Sequence, residues 1–450
     1  MIFRLFSDRD TYISNAKWRS VPQTASNFGA AETLELFKLA GVSGALGAAA
    51  TASCSRLLVR FDLTPIAELT ASGKAPSTGL SYFLKLEDVP HNQTVPTSYD
   101  IHVFPLSTSW DEGVGLDTVD YQDRGFANWE KSTRSTYWTT NGGDYLSAPS
   151  ASVHFDTGFE DVAVDVTETV NSWLTGGLEN NGFLIKLSGT LETDWTDYFV
   201  KKFYGRSSTY VDRRPCIEVR WDDSLRDDRS TFKFDQTGSL FMYRQFGGQF
   251  TDVSAGTILV TIADSSGNLL TVTGSSAGVT GVYSASFAIP TGSYSGSVFY
   301  DKWGSGSYAF LTGTFSPVRE DSAQVIAIEQ YTVKVKNLKN EYTTDDEVRF
   351  AVFVRTNTYS PAVVSTASVD VSPHIVKKVF WKIDNEVNGD EVFPFGTGSL
   401  QETRMSYDSN GNYFKFHMRN LVVGNLYRMS FLVDESGQRQ VIGPFRFKVV

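Results

Sequence analysis

This chain of 450 residues has two cysteines, five histidines and no long apolar run. Each scarcity removes a class of function. Cys54 and Cys216 have no metal-ligand spacing around them, so neither a zinc ribbon nor a cysteine-dense disulfide scaffold is expected. The histidines, His91, His102, His154, His374 and His417, form neither an HExxH motif nor a close pair. No GxSxG, no Walker loop and no strand-following GxGxxG occurs. No segment approaches the roughly 20 apolar residues of a membrane-spanning helix, so no membrane partner is expected. Positive charge is also in deficit. Forty Lys and Arg stand against 51 Asp and Glu, a net charge of -11. Phosphate binding needs a basic face, so nucleic acid is not an expected partner. The opening MIFRLFSDRDTYISN carries Arg4, Asp8, Arg9 and Asp10, which interrupt the apolar core of an export signal. Synthesis in a cytoplasm, with no signal peptide, is the expectation.

What the chain does have is aromatic residues and glycine. Its 32 Phe and 20 Tyr favour strands, and 37 Gly against 14 Pro fit many tight turns. Segments such as Arg56–Leu63 alternate: Leu57, Val59, Phe61 and Leu63 share one face, and Arg60 and Asp62 share the other. About ten such segments fall in residues 1–222. That density fits two packed sheets. Residues 223–230, within the run DDSLRDDRS, are charge-dense and read as a solvated linker. Residues 231–319 and 328–450 read as two further modules with immunoglobulin-like strand spacing. SSGN (Ser265–Asn268) and DSNGN (Asp408–Asn412) are hairpin signals. The expected fold is all-β: a jelly-roll-like N-terminal sandwich with one short helix, then two immunoglobulin-like sandwiches. Ala40–Ser55, AGVSGALGAAATASCS, reads as a flexible surface loop. The two cysteines read either as buried thiols or as a disulfide joining the ends of the first domain.

The one expected helix lies in VDVTETVNSWLTGGLENNGFLIKL (Val164–Leu187). Val162, Val164 and Val166 alternate as a strand, and then Val166, Val170, Trp173 and Leu174 recur at helical spacing. Asp165 and Glu168 have the spacing of a capping box, Gly176-Gly177 ends the helix, and Asn181-Gly182 turns into a strand at Phe183–Leu187.

The pieces DRDTYISN, Asn27-Phe28-Gly29, SRLLVRFDLT (Ser55–Thr64), STSWDEGVG (Ser107–Gly115), FANWE (Phe126–Glu130), YWTTNGGDY (Tyr137–Tyr145) and RRPCIEVRW (Arg213–Trp221) occur in that order. Together they resemble a DNRLRE-type β-sandwich domain. That family is similar to carbohydrate-binding modules and also occurs in cell-surface and phage structural proteins. Further on, VKNLKNEYTTDDEVRF (Val335–Phe350) and SYDSNGNYFKFHMRNL (Ser406–Leu421) resemble C-terminal domains of virion structural proteins of T4-like marine tailed phages. The resemblances imply a non-enzymatic virion protein, made in the host cytoplasm and placed at the neck, collar or tail. Its partners would be other virion proteins and copies of itself. The alternative is a carbohydrate-binding adhesin or a capsid-surface decoration protein touching host glycans through the N-terminal domain.

For that alternative the candidate carbohydrate-binding residues are Trp110, Trp129, Tyr137 and Trp138, in Gly- and Ser-rich surroundings where a sugar ring could stack. The stronger reading of these residues is shared framework of the domain, most of it buried. Asp111, Glu112, Asp117, Asp120 and Asp123 read either as oxygen ligands for calcium or as a solvated loop. No catalytic residue, metal site or cofactor is expected.

Overall fold

The structure is a computed structural model. It describes residues 1–19, 21–41, 51–193, 198–254, 256–292, 294, 296–319, 330–356, 373–435 and 437–450. The chain is nearly all β and divides into two compact units. One contains Phe3–Glu68 and Leu80–Arg220; the other contains Met1–Ile2, Leu69–Gly79 and Trp221–Val450. The expected domain at 1–222 therefore loses three short stretches, Met1–Ile2, Leu69–Gly79 and 221–222, to the second unit. There Ile2 joins the third module's core, and Asn420 Nδ2 donates to the Ile2 carbonyl at 3.0 Å. Lys74 pairs with Glu347 at 2.9 Å.

The first unit is a sandwich of unequal sheets. A four-stranded sheet runs Ile2–Phe6, Cys216–Arg220, Ser81–Leu86, Val162–Asp165. A seven-stranded sheet runs Phe199–Tyr204, Thr33–Gly41, Thr51–Arg60, Phe183–Leu187, Tyr99–Pro105, Ala151–Phe155, with Arg9–Ser14 also paired to Thr51–Arg60. Much of the expected Ala40–Ser55 loop, 42–50, lies outside the described residues. On either side the chain is strand, paired from Lys38↔Cys54 to Gly41↔Thr51. Cys54 and Cys216 are free and buried in different sheets, and burial pushes each thiol up to about 11. The disulfide reading is therefore set aside.

Three α-helices occur among the described residues rather than one: Thr64–Ala71, Thr167–Leu174 and Gly189–Thr193. The first has Pro65 at its opening turn, where a missing N–H costs nothing, and Asp62 Oδ1 accepts the Thr64 N–H at 3.0 Å. In the second, the N-cap is Val166, not Asp165. The Asp165 carboxylate still accepts the Thr167 N–H at 2.8 Å, one position away from the capping-box role. Val170 and Trp173 are buried as the spacing requires, while Leu174 is exposed. Gly176 follows the C-cap at φ +75°, the left-handed region.

The four-stranded sheet carries a buried ionic cluster. Glu218, 1% exposed, receives Arg4 Nε at 3.0 Å, Arg220 Nη2 at 2.5 Å and Lys85 Nζ at 3.9 Å. Burial opposes the charge, but these cations outweigh it and hold the carboxyl at about 2. A folded-state value below the unfolded one gives stability that is complete above pH 4.5 and is lost as pH falls through 2. The contribution is about 3 kcal/mol. Glu218→Gln is expected to flatten the fall in denaturation midpoint between pH 4.5 and 2. An unchanged slope would refute this account.

In the second unit the middle module is one hydrogen-bonded sheet of six strands, Gly238–Tyr243, Val282–Phe287, Gly267–Ser276, Ile258–Asp264, Phe299–Ser305, Tyr308–Phe315. Its halves are joined through the long strand Gly267–Ser276. Leu240 and Phe287 of one half meet Val260, Phe299 and Trp303 of the other in one core. SSGN is the expected hairpin, with Asp264 Oδ1 accepting the Ser266 N–H at 2.7 Å. The third module packs two sheets over a core in which Trp381 stacks on Phe414 at 5.1 Å. One sheet runs Tyr331–Val335, Glu347–Thr356, Gly411–His417, Ser406–Asp408. The other runs Glu341–Tyr342, Gln438–Val449, Leu426–Glu435, Val379–Asn385, Glu391–Phe393. DSNGN closes the hairpin between Ser406–Asp408 and Gly411–His417.

Residues 223–230 are not a solvated linker. Asp227 and Asp228 are buried. Asp228 accepts from Lys377 Nζ at 2.7 Å, Tyr407 Oη at 3.0 Å and the Ser239 N–H at 2.9 Å. Arg229 grips Asp301 through both terminal nitrogens, at 2.7 and 2.8 Å. Asp228 and Arg229 are met by partners remote in sequence, while Asp222 pairs with Arg226 and Asp227 accepts the Arg229 N–H within the run itself. The segment is a seam between the middle and third modules.

Candidate functional site

The aromatic loops of the first unit collect around its tryptophans. Trp110, Trp129 and Trp138 are buried, at 2%, 9% and 4% exposure, against Leu58, Leu106 and Leu184. Trp110 Nε1 donates to the Asn181 carbonyl at 2.9 Å, and Trp138 Nε1 donates to the Asn128 carbonyl at 2.8 Å. A buried indole with its N–H satisfied has no free face for a sugar ring. Three of the four candidate platforms are therefore framework. Tyr137 alone is exposed, at 63%, with Lys131 Nζ 4.8 Å from its ring centre.

Above this cluster lies a polar cleft of about 540 Å³. It is lined by Arg56, Ser107, Thr108, Thr139, Thr140, Gly143, Asp144 and Tyr145. YWTTNGGDY builds one wall. Asp144 folds the loop by accepting the Thr139 and Thr140 N–H groups, each at 2.8 Å. Gly142, at φ +94°, lets the backbone pass so near Arg56 and Trp129 that a Cβ would sit 2.8 Å from an Arg56 nitrogen. Arg56 lies over the Trp129 ring at 5.2 Å and donates to the Gly142 carbonyl at 2.8 Å. Its other nitrogens grip Glu192 at 2.9 and 3.0 Å. Burial opposes the guanidinium charge, yet Glu192 outweighs it and raises the Arg56 pKa. Lys186 completes the cluster, 2.8 Å from Glu192 and 5.5 Å from the centre of the Tyr145 ring.

The cleft thus offers five hydroxyls, of Ser107, Thr108, Thr139, Thr140 and Tyr145, and a fixed cation. It suits hydrogen bonding to a neutral polyhydroxylated ligand better than it suits acid–base work, because its one carboxylate is spent on the loop. The sequence contained the loop residues but no sign of Arg56, Glu192 or Lys186. Those three are brought together from a strand, a neighbouring strand and a short helix.

The acidic stretch 111–123 is used locally. Glu112 receives Arg206 at 3.0 and 2.7 Å, Asp123 caps the Val114 N–H at 2.7 Å, and Asp117 caps the Val119 N–H at 2.8 Å. Asp10, buried beside Glu112, is pushed up to about 7 by burial, against the Arg206 backbone N–H it accepts. Among the described residues no group of three or more His, Cys, Asp or Glu side chains converges as metal ligands. His102 and His417 lie in strands, as the sequence suggested.

No known protein family matches the chain. No curated protein matches it either. Among solved structures it is similar to the fibronectin(III)-like modules of Clostridium thermocellum CbhA, at 12% identity over 51% of this chain and 91% of that one, with a TM-score of 0.16. Trypsin-activated alpha-2-macroglobulin from Escherichia coli matches at 10% identity over 89% of this chain, TM-score 0.18, and the chain spans 23% of that protein's length. The adhesin domain of Epf from Streptococcus pyogenes matches at 9% identity over 72% of this chain and 94% of that one, TM-score 0.15. Likenesses at such TM-scores carry no argument, and the fold rests on the strands described above.

Proposed function

We propose that the chain is a non-enzymatic structural protein of a tailed-phage virion, at the neck, collar or tail, acting by symmetric assembly with copies of itself and other virion proteins. The observation that carries this reading is the seam. Asp228 binds the middle module to the third, through Ser239 on one side and Lys377 and Tyr407 on the other, and Arg229 anchors the same segment to Asp301 of the middle module, at the point where a freely jointed chain would have a solvated linker. Modules tied through buried charges are held more firmly than by a solvated linker, which suits a component bearing load in a particle. The sequence resemblances at Val335–Phe350 and Ser406–Leu421 agree with it. Quantitative peptide mass spectrometry on purified virions tests the reading. A count of roughly 5–18 copies per particle fits a closed ring or fibre position. Hundreds of copies would move the protein to the capsid surface, and absence from virions would overturn the structural reading.

A second reading is favoured by the hydroxyl-lined cleft and the exposed Tyr137: the first unit touches host-surface glycans. Full-length protein is expected to bind a subset of a glycan array, and Tyr137→Ala to abolish that binding while leaving the fold intact. An array with no bound glycan would leave the first unit as scaffold.

A further inference from the structure

Lys201 occupies a position where an apolar residue belongs. In the strand Phe199–Tyr204, Phe199, Lys201 and Phe203 point inward and are buried, and the Lys201 side chain has no exposed surface. Its Nζ lies 5.1 Å from the ring centres of both Phe155 and Phe203. A lysine walled by phenylalanines needs a stated reason, since its ammonium is costly to bury. Among the described residues its ionic partner at hydrogen-bond distance is Asp88, with Oδ1 2.6 Å from Nζ and a side chain 11% exposed. The Glu160 carbonyl accepts a second Nζ–H at 2.9 Å.

The backbone holds this pair in register. Val89 N–H donates to the Lys202 carbonyl at 3.0 Å, and Tyr204 N–H donates to the Glu87 carbonyl at 3.1 Å. Asp88 is thereby clamped opposite Phe203. The Asp88 N–H is taken by Asp161 Oδ1 at 2.7 Å, which keeps a second carboxylate beside the pair. Two reactive groups fixed at contact distance in a dry site react as if at very high concentration. Burial, which outweighs the attraction between them, lowers the Lys201 pKa and raises that of Asp88. Both shifts favour the neutral amine and the neutral acid, the forms that condense.

The geometry points to an intramolecular amide (isopeptide) bond between Lys201 Nζ and Asp88 Cγ, formed by the folded chain itself. One proton passes from the ammonium to the Asp88 carboxylate. The free amine attacks Cγ, the new C–N bond forms, and the C–O bond breaks. The hydroxyl leaves as water with a second proton from the nitrogen. Ammonium and carboxylate become amide and water, with no oxidant, cofactor or outside reactant. The bond ties the edge strand of the seven-stranded sheet to the segment that follows Ser81–Leu86 in the four-stranded sheet. It would thus close one side of the sandwich covalently. The inference stands whether or not the protein belongs to a virion.

Intact-mass spectrometry of the denatured full-length chain decides it. The wild-type chain is expected to be lighter than its sequence mass by one water molecule. Proteolysis should release a branched peptide joining the segments around Asp88 and Lys201. Lys201→Met and Asp88→Ala should each restore the full sequence mass, which can be read even from a variant that does not fold. A wild-type chain at full sequence mass, with no branched peptide, would overturn the proposal and leave an ion pair.

Discussion

Asp301→Ala is expected to destabilise the second unit by about 3–5 kcal/mol, read as a lower midpoint of chemical denaturation. Asp301 is fully buried, and its carboxylate is saturated with donors. Oδ1 takes one Arg229 nitrogen at 2.7 Å; Oδ2 takes the other at 2.8 Å and also the Trp303 indole N–H at 2.7 Å. Deleting the carboxylate leaves a buried indole N–H with no acceptor and a largely buried guanidinium whose remaining partners are Asp227 at 4.0 Å and the Thr314 and Phe241 carbonyls at 3.4 and 3.5 Å. The cost is that of a poorly compensated charge in the interior, far above the value of a surface pair. Gly313 is part of the same device, because a Cβ there would lie 2.2 Å from the Arg229 guanidinium and 2.7 Å from Asp301. The exposed pair Arg446–Glu386 at 3.0 Å is the control, and its removal should shift stability by less than about 1 kcal/mol. Equal effects at the two sites would show that the Asp301 cluster is not what holds the module.

Trp110→Ala is expected to cost about 3–5 kcal/mol in the first unit, the range for emptying a large aromatic site in a packed core. The indole is 2% exposed, and its loss also orphans the Asn181 carbonyl that it satisfies at 2.9 Å. Tyr137→Ala, at a ring 63% exposed, should stay within about 0.5 kcal/mol of wild type. The contrast matters for any binding experiment. A loss of glycan binding in Trp110→Ala would report unfolding, whereas the same loss in Tyr137→Ala would report the surface. Urea denaturation followed by circular dichroism separates the two, and a Trp110→Ala variant as stable as wild type would refute the framework role.

Most strands were legible because their residues alternate between a wet and a dry face. Val162–Asp165 alternates buried and exposed residues as expected, and Phe183–Leu187 is found at the expected bounds after its Asn181-Gly182 turn, though all five of its residues are buried. Arg9–Ser14 was not legible, because its polar residues Asp10, Thr11 and Ser14 are all buried and no alternation of hydropathy survives. The helix Thr64–Ala71 was missed although Pro65 sits at its first turn, since only Ile66 of its eight residues is buried and its apolar stripe is faint. The aromatic loops of the first unit were recognised, but composition cannot distinguish an indole at the surface from one beneath it.

The sequence by itself determined that this protein is built from β-sandwich modules, where most strands run, and which turns close its hairpins. Those properties are local: period-two hydropathy, glycine at positive φ and side chains capping their own loops. Tertiary structure alone decided which charges are buried and with whom. Asp228 with Lys377, Arg229 with Asp301, Arg56 with Glu192 and Lys201 with Asp88 are pairs separated by tens to more than a hundred residues. A charged side chain looks the same in sequence whether it faces water or a partner. Burial is set by which strands the fold brings together, and only that arrangement turned an apparent linker into a seam and a core lysine into a reactive one.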